Sequence, residues 1–256
     1  MRIKPARRTG SLRRWPVGTG EEAHEMLVIA MDGPSGSGKS SVSKGVARAL
    51  GLRYLDTGAM YRAVTWWMLR QGVPLDDQAA MAARAGEPVL SVGTDPDAPS
   101  ISVDGTDVAG PIRTGEVTGA VSAVAAVPEV RRRLVALQQE IIGTGGIVVE
   151  GRDIGTVVAP DAAVKIYLTA SAEARAQRRS KELTGASVSA TQADLARRDH
   201  LDSTRKTDPL ARAADAVEVD TTSLTLSEVI TEVVRIAKGA DAGDAVREAV
   251  YGEERP

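Results

Sequence analysis

Continuous apolar runs mark the buried strands of this chain. Residues 26–31 (MLVIAM), 147–149 and 163–168 have this composition, and the short runs at 54–55 and 216–219 predict two further strands. Runs without alternation are typical of strands that are covered on both faces. Segments with helical spacing separate them, at 40–50, 59–70, 76–85, 129–142, 171–182, 192–202 and 227–238. Strands that alternate with helices predict an α/β protein with a mostly parallel central sheet.

A different pattern lies between residues 87 and 110. The strings VLSVG, SISVDG and TDVAG alternate apolar and polar residues between Pro, Gly and Asp turn signals. This alternation is typical of small antiparallel strands. We expect the segment to be an insertion into the parallel core.

Length, composition and charge narrow the function classes. The chain has 256 residues, of which 43% are hydrophobic, and a formal net charge of −2. This length gives roughly one to two domains, and the charge argues against a dedicated nucleic-acid-binding protein. The sequence contains no cysteine, which excludes disulfides, thiolate catalysis and cysteine-ligated metal sites. No apolar run reaches the roughly 20 residues of a membrane span, so we expect no membrane contact and a cytoplasmic location.

Both ends of the chain differ from the predicted core. Residues 1–25 are basic between Arg2 and Arg14, with no acidic residue before Glu21. We predict a flexible leader here, and a nucleic-acid-binding arm is the alternative. Residues 239–256 are rich in Ala, Gly and charged residues and predict a flexible tail. The predicted folded domain is therefore 26–238.

A glycine-rich turn follows the first predicted strand. Residues 33–40 read GPSGSGKS and fit G-x-x-x-x-G-K-[ST] at every fixed position. In such a P-loop, backbone N–H groups curl around the β- and γ-phosphates at the positive N-terminus of the next helix. Lys39 would neutralise charge on the transferring group, and the Ser40 hydroxyl is the predicted ligand of Mg²⁺. The predicted ATP-binding residues are Gly33, Pro34, Ser35, Gly36, Ser37, Gly38, Lys39, Ser40 and Ser41.

A P-loop predicts nucleotide binding but leaves the reaction open. A GTPase would need guanine-reading and switch motifs. The segment 205–208 (RKTD) lacks the Asn of N-K-x-D, and 153–155 (DIG) has its Gly one residue too early for D-x-x-G. Kinases of the adenylate or shikimate type, a non-catalytic ATP-dependent binding module and a regulatory ATPase remain alternatives.

The positions of the arginines favour phosphoryl transfer. Arg152 and Asp153 come directly after a buried strand, where α/β sheets place their ligands. Phosphoryl transfer needs positioning and cationic stabilisation more than covalent chemistry, and guanidinium groups bind phosphate bidentately. The other arginines of this set are Arg62, Arg113, Arg131, Arg178, Arg179, Arg198 and Arg205.

Five strings together resemble the bacterial cytidylate kinases, a family of P-loop nucleoside monophosphate kinases. They are DGPSGSGKSS (32–41), YLDTGAMYR (54–62), EGRDIGTVV (150–158), DAAVKIYLTAS (161–171) and RRDHLDSTR (197–205). The resemblance runs from about residue 26 to 238 and implies a three-layer P-loop fold with a central parallel sheet. It also implies an inserted monophosphate-binding domain with antiparallel strands at about 73–145, and an arginine-rich lid at about 172–205. The lid stretch is short, and Glu150 and Thr57 stand where members can carry Asp and Ser.

The resemblance implies a set of residues that bind CMP. They are Thr57, Tyr61, Arg62, Ser122, Arg131, Arg152, Asp153, Arg198, Asp202 and Arg205. Of these, the residues implied to hold the acceptor phosphate are Arg62, Arg152 and Arg205. Asp153 would accept from the exocyclic amino group of cytosine, while Arg131 and Ser122 would satisfy the acceptors of the ring. Uracil lacks that amino group, so UMP would leave a buried carboxylate unpaired.

The remaining implied roles concern the sugar and the donor. Asp202 and Arg198 would contact the sugar, and Thr57 and Tyr61 would line the same pocket. The lid arginines Arg178 and Arg179 would move onto the ATP phosphates. The implied catalytic residues are Lys39, Arg152, Arg178, Arg179 and Arg205.

The reaction implied by the resemblance is a direct in-line transfer. The γ-phosphoryl of ATP would pass to CMP or dCMP with Mg²⁺ as cofactor, giving CDP or dCDP without a covalent intermediate. No general base is required because the acceptor phosphate is already an anion. We expect ATP and CMP or dCMP as the partners, no nucleic acid, and a monomeric protein.

Overall fold

The computed structural model describes residues 26–182 and 187–251, with side chains for 26–181 and 187–239. The strands are β1 (Val28–Asp32), β2 (Arg53–Asp56), β3 (Leu90–Val92), β4 (Ile101–Val103), β5 (Thr106–Asp107), β6 (Ile147–Glu150), β7 (Val164–Thr169) and β8 (Val217–Asp220). The helices are α1 (Lys39–Leu50), α2 (Thr57–Arg70), α3 (Gln78–Arg84), α4 (Gly115–Ala125), α5 (Pro128–Ile142), α6 (Ala172–Glu182), α7 (Val188–Thr204) and α8 (Leu226–Tyr251). The predicted leader (1–25), part of the predicted lid (183–186) and the end of the predicted tail (252–256) lie outside the described residues.

A parallel sheet forms the centre of the molecule, in the order β2-β6-β1-β7-β8. Val28 pairs with Ile147 in β6 and Ile29 pairs with Val164 in β7. The outer pairs, β2 with β6 and β7 with β8, are also parallel. All these strands therefore end at one edge of the sheet, which is where such folds place their ligands.

Alternate side chains of the strands enter two separate cores. Ala30 and Val149 pack with the layer that contains α2, α4 and α5. Ile29, Met31 and Val148 pack on the opposite face with α1 and α8. The sheet is thus covered on both sides, which explains the unbroken apolar runs and confirms the predicted three-layer architecture.

The predicted antiparallel insertion is confirmed as a second, three-stranded sheet. Its order is β3-β4-β5, with Leu90 opposite Val103 and Ser102 opposite Asp107. The insertion is joined to the core at β2, because the Tyr54 amide donates to the Thr94 carbonyl at 2.8 Å. This hydrogen bond pairs a backbone group on the outer edge of the central sheet.

The sequence pattern predicts no element at 115–125, where the structure has α4. Gly115 and Gly119 lower the helical propensity of this stretch. The helix nevertheless forms because Val117, Val121 and Val124, at positions i, i+4 and i+7, are buried in the core. Its apolar spacing was the signal that could have identified it.

The last helix is longer than the pattern predicts. The predicted end is at residue 238, but α8 continues to Tyr251 through the Ala-rich segment that follows Gly239. A single glycine costs a helix only about 1 kcal/mol relative to alanine, so Gly239 does not end it. Within the described residues, no helix is both long and apolar enough to cross a membrane.

Candidate active site

A cleft of about 450 Å³ lies at the carboxyl edge of the central sheet. It is bordered by the glycine-rich turn after β1, the end of β6, α2, α4, α7 and the insertion. The predicted site residues that line it are Ser35, Gly36, Gly38, Lys39, Ser40, Ser41, Thr57, Tyr61, Arg62, Ser122, Arg131, Arg152, Asp153, Arg179, Arg198, Asp202 and Arg205. The fold thus brings together residues that are up to 170 positions apart in the chain.

The P-loop conformation depends on its glycines. Gly36 and Gly38 have φ angles of 75° and 90°, and Gly33 has 145°, values that side chains strongly disfavour. A Cβ atom on Gly33 would also stand 2.2 Å from the Leu168 carbonyl oxygen in β7. The turn then leads directly into α1 at Lys39, so the helix N-terminus and its free N–H groups face the cleft.

Lys39 folds back onto the loop that would carry the phosphates. Its ammonium group donates to the carbonyl oxygens of Gly33 and Pro34, at 2.8 and 2.7 Å. Burial, followed by the positive charge of Arg152, lowers the pKa of Lys39 to about 7. An arriving phosphate would offset both effects and favour the charged ammonium.

Glu150, at the end of β6, presents a carboxylate beside the P-loop. Tyr54 donates its hydroxyl to Glu150 Oε1 at 2.6 Å, whereas Oε2 is buried and lacks a hydrogen-bond partner among the described residues. Burial, followed by the charge of Asp56, raises the pKa of Glu150 to about 7. The hydrogen bond from Tyr54 and the charge of Lys39 act in the opposite direction.

The donor atoms around Glu150 fit a magnesium ion. The Ser40 hydroxyl and the unpartnered Glu150 Oε2 are hard oxygen ligands, and both residues line the cleft. Magnesium in phosphate sites takes only one or two protein ligands and fills its shell with water and substrate oxygens. It therefore does not need the cluster of three or more His, Cys, Asp or Glu residues that the described part of the chain lacks.

Arg152 bridges the P-loop and α7. Its Nη1 donates to the Gly33 carbonyl at 2.7 Å and its Nη2 to the Ser35 hydroxyl at 2.5 Å. Its Nε lies 3.1 Å from Asp202 Oδ2, and Asp202 Oδ1 accepts from the Ser122 hydroxyl at 3.2 Å. Arg152, two residues after β6, is thus fixed between the P-loop and residues predicted to bind the sugar and base.

The other two predicted phosphate-binding arginines are held mainly by neutral groups. Arg62 donates to Thr118 Oγ1 at 2.8 Å and to the Ile112 carbonyl at 3.2 Å. Arg205 donates to the Asp208 carbonyl at 2.6 Å, and its Nη2 is 3.4 Å from Asp153 Oδ1.

The cleft carries positive charge that is only partly compensated. Burial, followed by the charges of Arg198 and Arg113, lowers the pKa of Arg62 to about 9. The pKa of Arg198 is lowered by burial and by the charge of Arg152. Cations that disfavour one another in a partly enclosed space are stabilised by an anion placed between them.

Two of the predicted base-reading residues, Arg131 and Asp153, form a buried ion pair, whereas the third, Ser122, contacts Asp202 instead. Arg131 is 1% exposed and pairs with Asp153 through Nη2 and with Asp208 through Nε, the latter at 2.7 Å. Its guanidinium carbon lies 5.4 Å from the ring centre of Tyr61, a distance that permits a cation–π contact. Thr57, below this cluster, donates its hydroxyl to the Glu150 carbonyl at 2.7 Å.

The two predicted lid arginines occupy different places. Arg179 lines the cleft and lies close enough to Arg62 and Arg198 to affect their pKa values. Arg178 instead donates to the hydroxyl of Thr221, at 2.8 Å, and to its carbonyl oxygen. The Thr221 hydroxyl in turn lies 3.0 Å from the Thr169 carbonyl oxygen and 3.2 Å from that of Ser37 in the P-loop. Arg178 thus binds next to the P-loop on its β8 side in this structure.

Sequence reasoning missed several charged residues that hold the site together. They are Asp32, Arg175, Asp199 and Asp208, together with Glu150, which was noted without a role. Asp32 accepts from the amides of Ile154 and Gly155, each at 2.8 Å, and burial raises its pKa to about 6. Its place directly before Gly33 and the place of Asp199 inside RRDHLDSTR were the available signals.

Comparison with known proteins gives a family match over most of the chain. The family model described as cytidylate kinase matches residues 29–239. A cytidylate kinase of Streptomyces griseus is 61% identical over 223 residues, which cover 86% of this chain and 96% of the relative. The cytidylate kinases of Streptomyces coelicolor and Nocardia farcinica are 63% and 60% identical, over 85% and 82% of this chain and 95% and 93% of theirs. Because these matches span both the P-loop and the arginine-lined cleft, the chain belongs to the cytidylate kinase family.

Proposed function

We propose that this protein transfers the γ-phosphoryl group of ATP to CMP and dCMP, forming CDP and dCDP. The observation that carries the proposal is Arg152, whose single guanidinium contacts Gly33 and Ser35 of the P-loop on one side and Asp202 of the acceptor pocket on the other. A donor phosphate on the loop and an acceptor phosphate in the pocket would then meet at the same cation. Such an arrangement favours direct in-line transfer.

The donor side of the proposal rests on the P-loop. The amides of residues 33–41 and the Lys39 ammonium would bind the β- and γ-phosphates, and Lys39 would exchange its present carbonyl partners for them. Ser40 and Glu150 would hold Mg²⁺, which neutralises charge between the β- and γ-phosphates when bound. Arg178 and Arg179 keep their predicted role on the ATP phosphates, which for Arg178 requires release from Thr221.

The acceptor side rests on the arginine cluster. Arg62, Arg152 and Arg205 would bind the monophosphate, which would relieve the mutual repulsion among the cations of the cleft. Asp202 and Arg198 would bind the sugar, alongside Thr57 and Tyr61. No general base is needed, because the attacking phosphate oxygen already carries a negative charge.

Base selection is assigned to Asp153, Arg131 and Ser122. Asp153 is 4% exposed and faces Arg131 and Arg205. A carboxylate fixed in this way can accept from the exocyclic amino group of cytosine. The carbonyl group of uracil at the same position would face it without a donor, which costs binding energy. The proposal further includes a monomer in the cytoplasm that binds neither nucleic acid nor membrane, and these parts stay predictions.

The test is ADP release from Mg·ATP with five separate acceptors. We expect rapid turnover with CMP and dCMP, weak turnover with UMP and none with AMP or GMP. Turnover with AMP instead would assign the protein a different acceptor and refute the roles of Asp153 and Arg131. ADP release that no acceptor stimulates would leave only the nucleotide-binding conclusion.

A further inference from the structure

Ser35 of the P-loop is held from outside the loop at each of its polar groups. Its amide donates to Asp199 Oδ1 at 3.0 Å, and its carbonyl oxygen accepts from Arg175 Nη1 at 3.0 Å. Its hydroxyl accepts from Arg152. Arg175 of α6 and Asp199 of α7 also form an ion pair with each other, and we call this pair the α6–α7 clamp. The clamp is used by none of the roles assigned above.

The clamp is shielded from solvent. The side chains of Arg175 and Asp199 are only 14% and 17% exposed. Charge-assisted hydrogen bonds in such surroundings are stronger and less screened than those on the surface. A Cβ atom on Gly36 would lie 3.1 Å from the Arg175 carbonyl oxygen, so the backbone of α6 also packs closely on the loop.

Helix α7 carries a second carboxylate one turn after Asp199. Asp202 faces the acceptor side, where it pairs with Arg152 and accepts from Ser122. Residues three positions apart lie on the same face of a helix. One face of α7 thus contacts the donor loop through Asp199 and the acceptor pocket through Asp202.

The geometry points to Asp199 and Arg175 as positioning residues that couple the donor and acceptor sites. This inference rests on the proposed function. The clamp fixes α7 relative to the P-loop, and α7 carries Arg198 and Asp202 while Arg205 follows it directly. Without the clamp, the acceptor-binding side chains keep their own contacts but lose their fixed placement relative to the donor. A displacement of this kind slows transfer and uncouples the binding of the two nucleotides.

The experiment measures binding of CMP with and without a non-hydrolysable ATP analogue and Mg²⁺, together with kcat and thermal stability. The main variant is Asp199→Asn, whose side-chain oxygen still accepts from the Ser35 amide but which lacks the charge that pairs with Arg175. Arg175→Gln breaks the same pair from α6. The matched control is Asp194→Asn, which removes an exposed ion pair with Arg197 on the same helix.

We expect the analogue to tighten CMP binding to the wild type by about fivefold or more. In Asp199→Asn the coupling factor, which is the ratio of the CMP Kd without the analogue to that with it, falls to near one. Its kcat decreases by about 10- to 100-fold. The Kd of CMP without the analogue changes less than about twofold. Arg175→Gln gives at least the same loss, because it removes the ion pair with Asp199 and also the hydrogen bond to the Ser35 carbonyl. The double variant loses no more than Arg175→Gln, because the ion pair is already broken. Asp194→Asn behaves like the wild type.

Three results would overturn the inference. One is a wild type that binds the two nucleotides independently, and another is an Asp199→Asn or Arg175→Gln enzyme with intact coupling and kcat. The third is a loss of thermal stability alone, since that would make the clamp merely structural. Failure of the proposed function is distinguishable, because the wild type itself would then show no turnover with CMP.

Discussion

Several charged residues of this protein are buried as members of ion pairs. Arg131 is the clearest case, since it is almost fully buried and contacts both Asp153 and Asp208. The gain from pairing such charges is offset by the cost of removing them from water, so a buried pair by itself adds little stability. Removing one member leaves the other charge buried without its partner, and the protein then loses far more stability than the intact pair contributes.

We therefore predict that Arg131→Met strongly destabilises the ligand-free protein. The expected loss in the free energy of unfolding is about 3–5 kcal/mol, because Asp153 loses a close partner in a buried site. Arg132→Met is the matched control, since the Arg132 side chain is 75% exposed and pairs with Glu129 on the surface. The control should change stability by less than about 1 kcal/mol. Urea unfolding measures both values, and equal effects of the two substitutions would contradict this account of the cluster.

At the residue scale, the sequence predicted local motifs better than the contacts between residues that are far apart in the chain. The P-loop is contiguous and its chemistry follows from residues 33–41 alone. The arginines of the cleft could be selected because they stand at the ends of predicted elements or within strings of a family. Asp199 and Glu150 could not be assigned roles in this way. Their importance depends on Ser35 and Tyr54, 164 and 96 positions away, and on burial that only the fold creates.

Individual elements meet the site at their ends, and β1 approaches β7 closely where it leads into the P-loop. Gly33 stands where β1 leaves the sheet, with its α-carbon directed at the Leu168 carbonyl. A β-carbon there would collide with backbone on a central strand, where little movement is possible. This contact fixes the start of the P-loop against the sheet.

We predict that Gly33→Ala lowers the free energy of unfolding by about 2–5 kcal/mol. The strained φ angle and the overlap with Leu168 each contribute to the loss. Gly115→Ala is the control because a Cβ atom at Gly115, in α4, meets no atom within 4 Å, and alanine favours the helix. Chemical unfolding of both variants without nucleotide provides the comparison. A Gly33→Ala protein as stable as the control would show that the loop and β7 are less closely packed than described.

The elements that the sequence predicted well have strong periodicity or a stop signal. Helix α1 ends at Leu50 and is capped by Gly51 in the left-handed conformation, and α5 begins at Pro128, one residue before the predicted segment 129–142. Helix α4 was missed because its two glycines lower the helix propensity of the segment, although its valines have helical spacing. The π-helical turn at Ile154–Val158 was also missed. It depends on Asp32, whose carboxylate binds two of its amides from another strand.

At the scale of the whole molecule, the cleft lies between the parallel core and its insertion. A backbone hydrogen bond from Tyr54 to Thr94 connects the two parts. An ion pair between Asp56 and Arg113, at 3.3 Å, lies beside it on the same cleft. The general architecture could be predicted from the alternation of strands and helices and from the alternating apolar and polar residues of 87–110. The relative placement of donor and acceptor residues could not, because it results from contacts across the whole fold. Arg152 is the residue on which these contacts converge.

The most direct test of the account is the rate of CMP phosphorylation by Arg152→Ala at saturating ATP and CMP. If Arg152 stabilises charge between the two phosphates, kcat falls by about 10³-fold or more, as for other arginines that act in phosphoryl transfer. Arg197→Ala serves as the control, because Arg197 is 49% exposed and pairs with Asp194 on the outer face of α7; its kcat should match the wild type. An Arg152→Ala enzyme within about threefold of the wild-type rate would contradict the central claim that this cation joins the donor and acceptor sites.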